Sequence, residues 1–191
     1  METSAAQHTR ARIDRDPPTA EREQRRQLAL RHVRQYPDPV LRRRAHEVTE
    51  FDEELAALAD RMFSIMGDAY GVGLAAPQLG LLLRIFTFQV GEDDQPEAIV
   101  NPVVESASSE TDVDDEGCLS LGETRVPVER PISVKVTGKD LQGADVSYEL
   151  EGFEARVFQH EIDHLDGVLM IDRAPQGEAR KEAMRYLRPK P

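Results

Sequence analysis

The sequence predicts an α+β fold, and three patterns predict it. Segments with strand-like periodicity fall mostly together, between residues 83 and 150, rather than alternating with helices. An amphipathic helix precedes them over residues 51–67, and a second helical stretch follows over about 151–166. No internal repeat and no regular strand–helix alternation is visible, which argues against a parallel βαβ array.

Taken in order, residues 1–27 are polar, charge-dense and almost free of large apolar side chains. Such a stretch cannot bury enough surface to offset its ordering entropy, so it is expected to be a disordered extension. Residues 28–191 then form one domain, long enough to bury a core. Tyr36-Pro37-Asp38-Pro39 reads as a turn. In the first helix Phe51, Leu55, Leu58, Met62 and Met66 repeat on one side, and Thr49 with Asp52 resembles a capping box. Gly71-Val72-Gly73-Leu74-Ala75-Ala76-Pro77-Gln78-Leu79-Gly80 is dense in small residues. It lacks the Lys-Ser/Thr of a phosphate loop, so a tight turn presenting Gln78 is expected.

Residues 83–90 and 98–104 read as strands, and residues 105–116 as a solvated loop or edge segment. Residues 132–136 and 146–150 alternate like an antiparallel pair. A short strand over 168–171 and a closing helix over 177–187 complete the expected elements.

Charge and composition exclude several roles. The 36 acidic residues outnumber the 24 basic ones, for a net charge of −12, which disfavours nucleic-acid binding through a basic patch. No apolar run reaches transmembrane length and no signal-peptide pattern opens the chain, so no membrane role and a cytoplasmic location are expected. The single cysteine, Cys118, cannot form an intramolecular disulfide.

The chemistry concentrates in Gln159-His160-Glu161-Ile162-Asp163-His164. On a helix His160 and His164 stand one turn apart and can grip one metal ion, with Glu161 at the edge of the same face as a general base. Phe158, Ile162 and Leu165 form the opposite, apolar stripe, and Gly167 is placed to end the helix. A catalytic centre of this type needs a third protein ligand. No histidine follows His164, and Asp166 lies nearly on the far side of the helix. Upstream, Cys118 in Glu116-Gly117-Cys118-Leu119-Ser120 is either that ligand as a thiolate or a buried small hydrophobe.

Three segments in order, Gly71 to Gln78, Glu116 to Ser120 and Gln159 to His164, resemble the three motifs of the peptide deformylase family. The likeness extends over about residues 28–187. It implies antiparallel sheets packed around the central metal-binding helix, with an N-terminal and a C-terminal helix. It implies Cys118, His160 and His164 as metal ligands, Glu161 as catalytic acid/base, and Gln78 and the Leu119 N–H as donors to a formyl oxygen. It implies one ion per chain, Fe2+, with Zn2+ or Ni2+ as substitutes in purified protein. The implied substrate is an N-formyl-methionyl nascent peptide, with transient ribosome contact. Val72, Gly73, Phe153 and Val157 are candidates to line the substrate pocket. Arg130 and Asp163 are expected to pair behind the site. Two departures stand out: Gly122 replaces a frequent proline, and Asp114-Asp115 replaces residues that are often apolar near the pocket rim. Two rival readings share the motif helix: a metallopeptidase with a downstream third ligand, and a silent homologue that only binds nascent chains.

Overall fold

A computed structural model describes residues 19–90 and 95–175. It opens with a helix where disorder was expected: α1 runs Ala20–Leu30, so the last part of the polar extension is folded. Thr19 caps it by accepting the Arg22 N–H at 3.3 Å, and Glu21 and Glu23 complement the dipole in the first turn. Ala29 and the following Val33 enter the core, and Arg22 is itself buried, its guanidinium 5.3 Å from the Tyr70 ring centroid. Its cap and long polar stems carry this helix, so its sequence shows few large apolar residues.

Helix α2, Glu53–Asp68, begins at Asp52, whose side chain accepts the Leu55 N–H at 3.0 Å. The cap is therefore Asp52 itself, not Thr49 with Asp52 as the third residue of a capping box. Leu55, Met62 and Met66 are buried as the periodicity required, with Phe51 and Leu58 packed against them.

The strands are β1 Gly73–Ala75, β2 Ile85–Phe88, β3 Glu97–Ala107, β4 Thr111–Gly117, β5 Arg125–Pro131, β6 Ser133–Lys139 and β7 Asp145–Glu151. Five of them form an antiparallel sheet in the order β1-β2-β3-β6-β7, and β4 pairs with β5 in a separate hairpin. Period-two alternation sorts the side chains between two cores. Ile85, Ala98 and Val100 join α1 and α2 on one face. Phe86, Phe88, Ile99, Val134 and Val136 point to the other, against helix α3, Gly152–Leu165. A third cluster, with Leu41, Cys118, Leu121, Val126 and Val128, lies beneath the hairpin.

Several expectations are refined. The 105–116 segment is strand at both ends, with mostly exposed side chains, as an edge segment should have. β1 and β5 were not anticipated. The strand expected over 168–171 is instead a bend into the short helix α4, Met170–Arg173. Leu169, Met170 and Ile171 are all buried, so the stretch has no strand-like alternation. The Asp172 carboxylate accepts the Leu169 N–H at 2.9 Å and starts the turn. The helix expected over 177–187 lies outside the described residues.

Candidate active site

Helix α3 is rolled into place by its apolar stripe. Phe158 packs edge-on against Phe86 at 5.1 Å and tilts over Phe88 at 4.5 Å, with Ile162 and Leu165 in the same cluster. His160 and His164 therefore face the other way, with ring centroids 4.9 Å apart. The helix stops in a Schellman motif: the Gly167 N–H donates to His164 O at 3.2 Å and the Val168 N–H to Asp163 O at 2.8 Å. Gly167 sits at φ +74°, where a side chain would be strained and would meet the Arg42 backbone.

Cys118 arrives from the hairpin, at the end of β4, and is buried. Its Sγ lies 3.3 Å from His164 Nε2. One ligand atom each from Cys118, His160 and His164 lie within 4.8 Å of one another. A thiol and two imidazoles converging in a buried spot form a donor set suited to a divalent transition-metal ion.

The outer nitrogen of His160 is held as metal-binding imidazoles usually are. Its Nδ1 lies 2.9 Å from Glu116 Oε2. Glu116 is itself saturated, accepting from Arg130 Nε at 2.6 Å, Arg130 Nη2 at 2.9 Å and Arg156 Nη1 at 3.1 Å. Burial works against its charge, but the Arg130 and His160 hydrogen bonds overcome this and hold the carboxyl at about 2. The expected pairing behind the site is present: Arg130 Nη1 donates to Asp163 Oδ2 at 2.8 Å. Arg173 adds two bonds to the same carboxylate, at 2.6 and 3.1 Å. The roles of Glu116, Arg156 and Arg173 were not foreseen, since nothing in their spacing marks them as partners.

Glu161 is buried beside the cluster. Its Oε2 has no hydrogen-bond partner among the described residues. Burial raises its carboxyl to about 7 against the opposing pull of His160. Its other oxygen lies against Gly73, where an added Cβ would come within 2.4 Å. A neutral-range carboxyl with a free oxygen is suited to moving a proton.

Gln78 sits on the 3-10 turn Ala76–Leu79 after β1. Its Oε1 accepts the Ala75 N–H at 2.8 Å, which turns the amide nitrogen towards Ser120 Oγ at 3.2 Å and Cys118 Sγ at 3.6 Å. Leu119 follows Cys118 and is half-buried. Gly71 leaves room for it, since a Cβ there would lie 2.9 Å from Leu119 Cδ1. The pocket candidates divide. Phe153, Val157 and Glu161 recur at i, i+4 and i+8, and exposure falls along them from 55% to 6% to 4%. That helix face thus runs from solvent down to the carboxylate. Val72 lies between Gly71 and Gly73, and its carbonyl accepts the Gln89 N–H at 2.9 Å.

The fold and a Cys/His/His donor set beside a buried carboxylate suit a metal-dependent hydrolase. A family model described as polypeptide deformylase matches residues 30–180. The chain belongs to the peptide deformylase family, enzymes that remove the N-formyl group from newly made polypeptides. It is 52% identical over 141 residues to the peptide deformylase of Thermotoga neapolitana, covering 74% of this chain and 85% of that protein. Peptide deformylase 1 of Corynebacterium glutamicum is 44% identical over 163 residues, 84% of this chain and 96% of its own length. The crystal structure of a peptide deformylase from Synechococcus elongatus in complex with actinonin superposes with a TM-score of 0.77 at 34% identity. It covers 83% of this chain and 91% of that one. No helix among the described residues is long and apolar enough to cross a membrane.

Proposed function

We propose that Cys118, His160 and His164 hold a single divalent ion and that Glu161 moves the proton in hydrolysis of N-formyl-methionyl peptides. The observation that carries this reading is the convergence of the three ligand atoms within 4.8 Å beside the buried Glu161 carboxylate, whose Oε2 has no hydrogen-bond partner among the described residues. When bound, such an ion supplies Lewis acidity, which makes water acidic enough to serve as a nucleophile near neutral pH. By family resemblance the native ion is Fe2+, with Zn2+ or Ni2+ as replacements.

Glu161 accepts a proton from the attacking water and delivers it to the departing amine, so formate and a free N-terminus result. The formyl oxygen gains charge as its carbon becomes tetrahedral. Gln78 Nε2 and the Leu119 N–H are the donors for it. The Ala75 bond to Gln78 Oε1 supports that assignment, because it holds the amide in the donating orientation before substrate arrives. The methionine side chain enters along Phe153 and Val157, with Val72 on the facing segment. Strand β1 is the outermost strand of its sheet, so its free edge near Gly73 suits pairing with the substrate backbone. The metallopeptidase alternative loses its support, since the third ligand candidate comes from upstream. Action on nascent chains places the protein, in this reading, in the cytoplasm and in transient contact with ribosomes.

The test measures formate released from a formyl-Met peptide, with metal analysis of the same sample. Glu161→Gln should retain one ion per chain and lose on the order of 10²-fold or more in kcat. A variant with full activity, or one that loses its ion, would sink the assignment.

A further inference from the structure

The two donors assigned to the formyl oxygen come from turns that no sheet joins. Gln78 follows β1 of the five-stranded sheet, whereas Leu119 follows β4 of the hairpin. Three consecutive residues bridge them. The Arg34 N–H donates to Gln78 O at 2.6 Å and the Tyr36 N–H to Ser120 O at 2.9 Å. Between them the Gln35 side-chain amide donates to Leu119 O at 2.9 Å, and to Val33 O at 3.3 Å. The strap is anchored at both ends, by Val33 buried in the α1–α2 core and Leu41 buried beneath the hairpin.

We infer that residues 34–36 form a strap that sets the spacing of the two oxyanion donors, with Gln35 as a positioning residue acting through Leu119. This deepens the proposed function and rests on Gln78 and Leu119 serving as donors. The physical reason is that, among the described residues, the other ties across this seam are between side chains: the Gln78 bonds to Ser120 and Cys118, and the packing of Leu119 on the core that holds Leu74 and Ala76. Those bonds come from the very amide that must turn to substrate, so it cannot also be the brace. Arg34 and Tyr36 bond through their backbones and are insensitive to side-chain replacement. Gln35 contributes through its side chain, which makes it the testable member. Gln35 is exposed, so its replacement leaves the core packing alone.

The experiment compares Gln35→Met, similar in length but without a donor, with Gln35→Lys, which restores one. Gln35→Met should lower kcat about fivefold and leave KM within about twofold, the effect of one lost hydrogen bond at the transition state. Metal content and thermal midpoint should match the unaltered protein. The Leu119 and Ser120 amide resonances should shift, and Gln35→Lys should recover most of kcat. Any other pattern overturns the inference, including an unchanged kcat or a loss that follows metal content or thermal midpoint. Gln78→Met is the control: if it retains full kcat, the donor assignment itself fails, separately from the strap.

Discussion

Gly73 is glycine because Glu161 stands where its side chain would be. The carboxylate is buried, with Oε1 2.4 Å from an ideal Cβ at that position, so it cannot simply swing into solvent. Gly73→Ala should displace Glu161 while leaving the ligands in place. We expect a kcat loss of about tenfold or more, as for other sub-ångström misplacements of a catalytic group, with unchanged metal content. Wild-type kcat in that variant would show the carboxylate to be free to move. At this scale the sequence was legible where spacing is local. His160, Glu161 and His164 sit together on any helix. Cys118 is 46 positions from His164, so spacing left its role open and the motif resemblance was needed. Glu116 was legible only as part of a motif, because its function depends on Arg130 and Arg156 arriving from β5 and α3.

Among the elements, helices with clear apolar stripes were read correctly, as were strands β2 and β3, whereas β1 and β5 were not. β1 has three residues in a glycine-rich run, too short to show alternation. β5 contains Pro127 and Pro131, which usually argue against a strand. It tolerates them because it pairs on one side only, with β4. Helix α2 depends on a single side-chain cap. Asp52→Ala should cost about 1 kcal/mol of stability, measured by urea unfolding, and a loss near zero would mean that Thr49 or water replaces it. The outer end of the sheet carries a second marker. Tyr148 on β7 donates to Glu97 Oε2 on β3 at 2.9 Å, bridging over β6. Burial and then Glu97 raise its phenol well above the usual range. The native state keeps this proton after the unfolded chain has begun to lose it, near pH 10. Stability is therefore full below that pH and falls as pH rises through it. The advantage of the unaltered protein over Tyr148→Phe in urea unfolding should shrink between pH 8 and 11. A difference independent of pH would contradict the bond.

On the scale of the whole molecule, three cores meet where the site lies. The core with α2 holds Leu74, next to Gly73 on β1; helix α3, seated on the other core by its apolar stripe, carries the histidines on its opposite face; and the hairpin core holds Cys118. This convergence explains why the α+β class could be read from the order of elements, while the site could not be assembled from any one of them. It also explains the density of buried charge behind the ligands. Glu116 and Asp163, from the hairpin and the motif helix, share Arg130, and this ties the two elements at fixed separation. Breaking one partner of such a group leaves a buried charge uncompensated, so the arrangement favours one geometry over its neighbours.

The central claim is that a sulfur from the hairpin and two imidazoles from helix α3 close around one ion. X-ray absorption on the zinc-loaded full chain measures this directly. The account predicts one sulfur at about 2.3 Å and two imidazole nitrogens at about 2.0–2.1 Å, at one ion per chain. Coordination by nitrogen and oxygen alone, with no sulfur in the first shell, would contradict it.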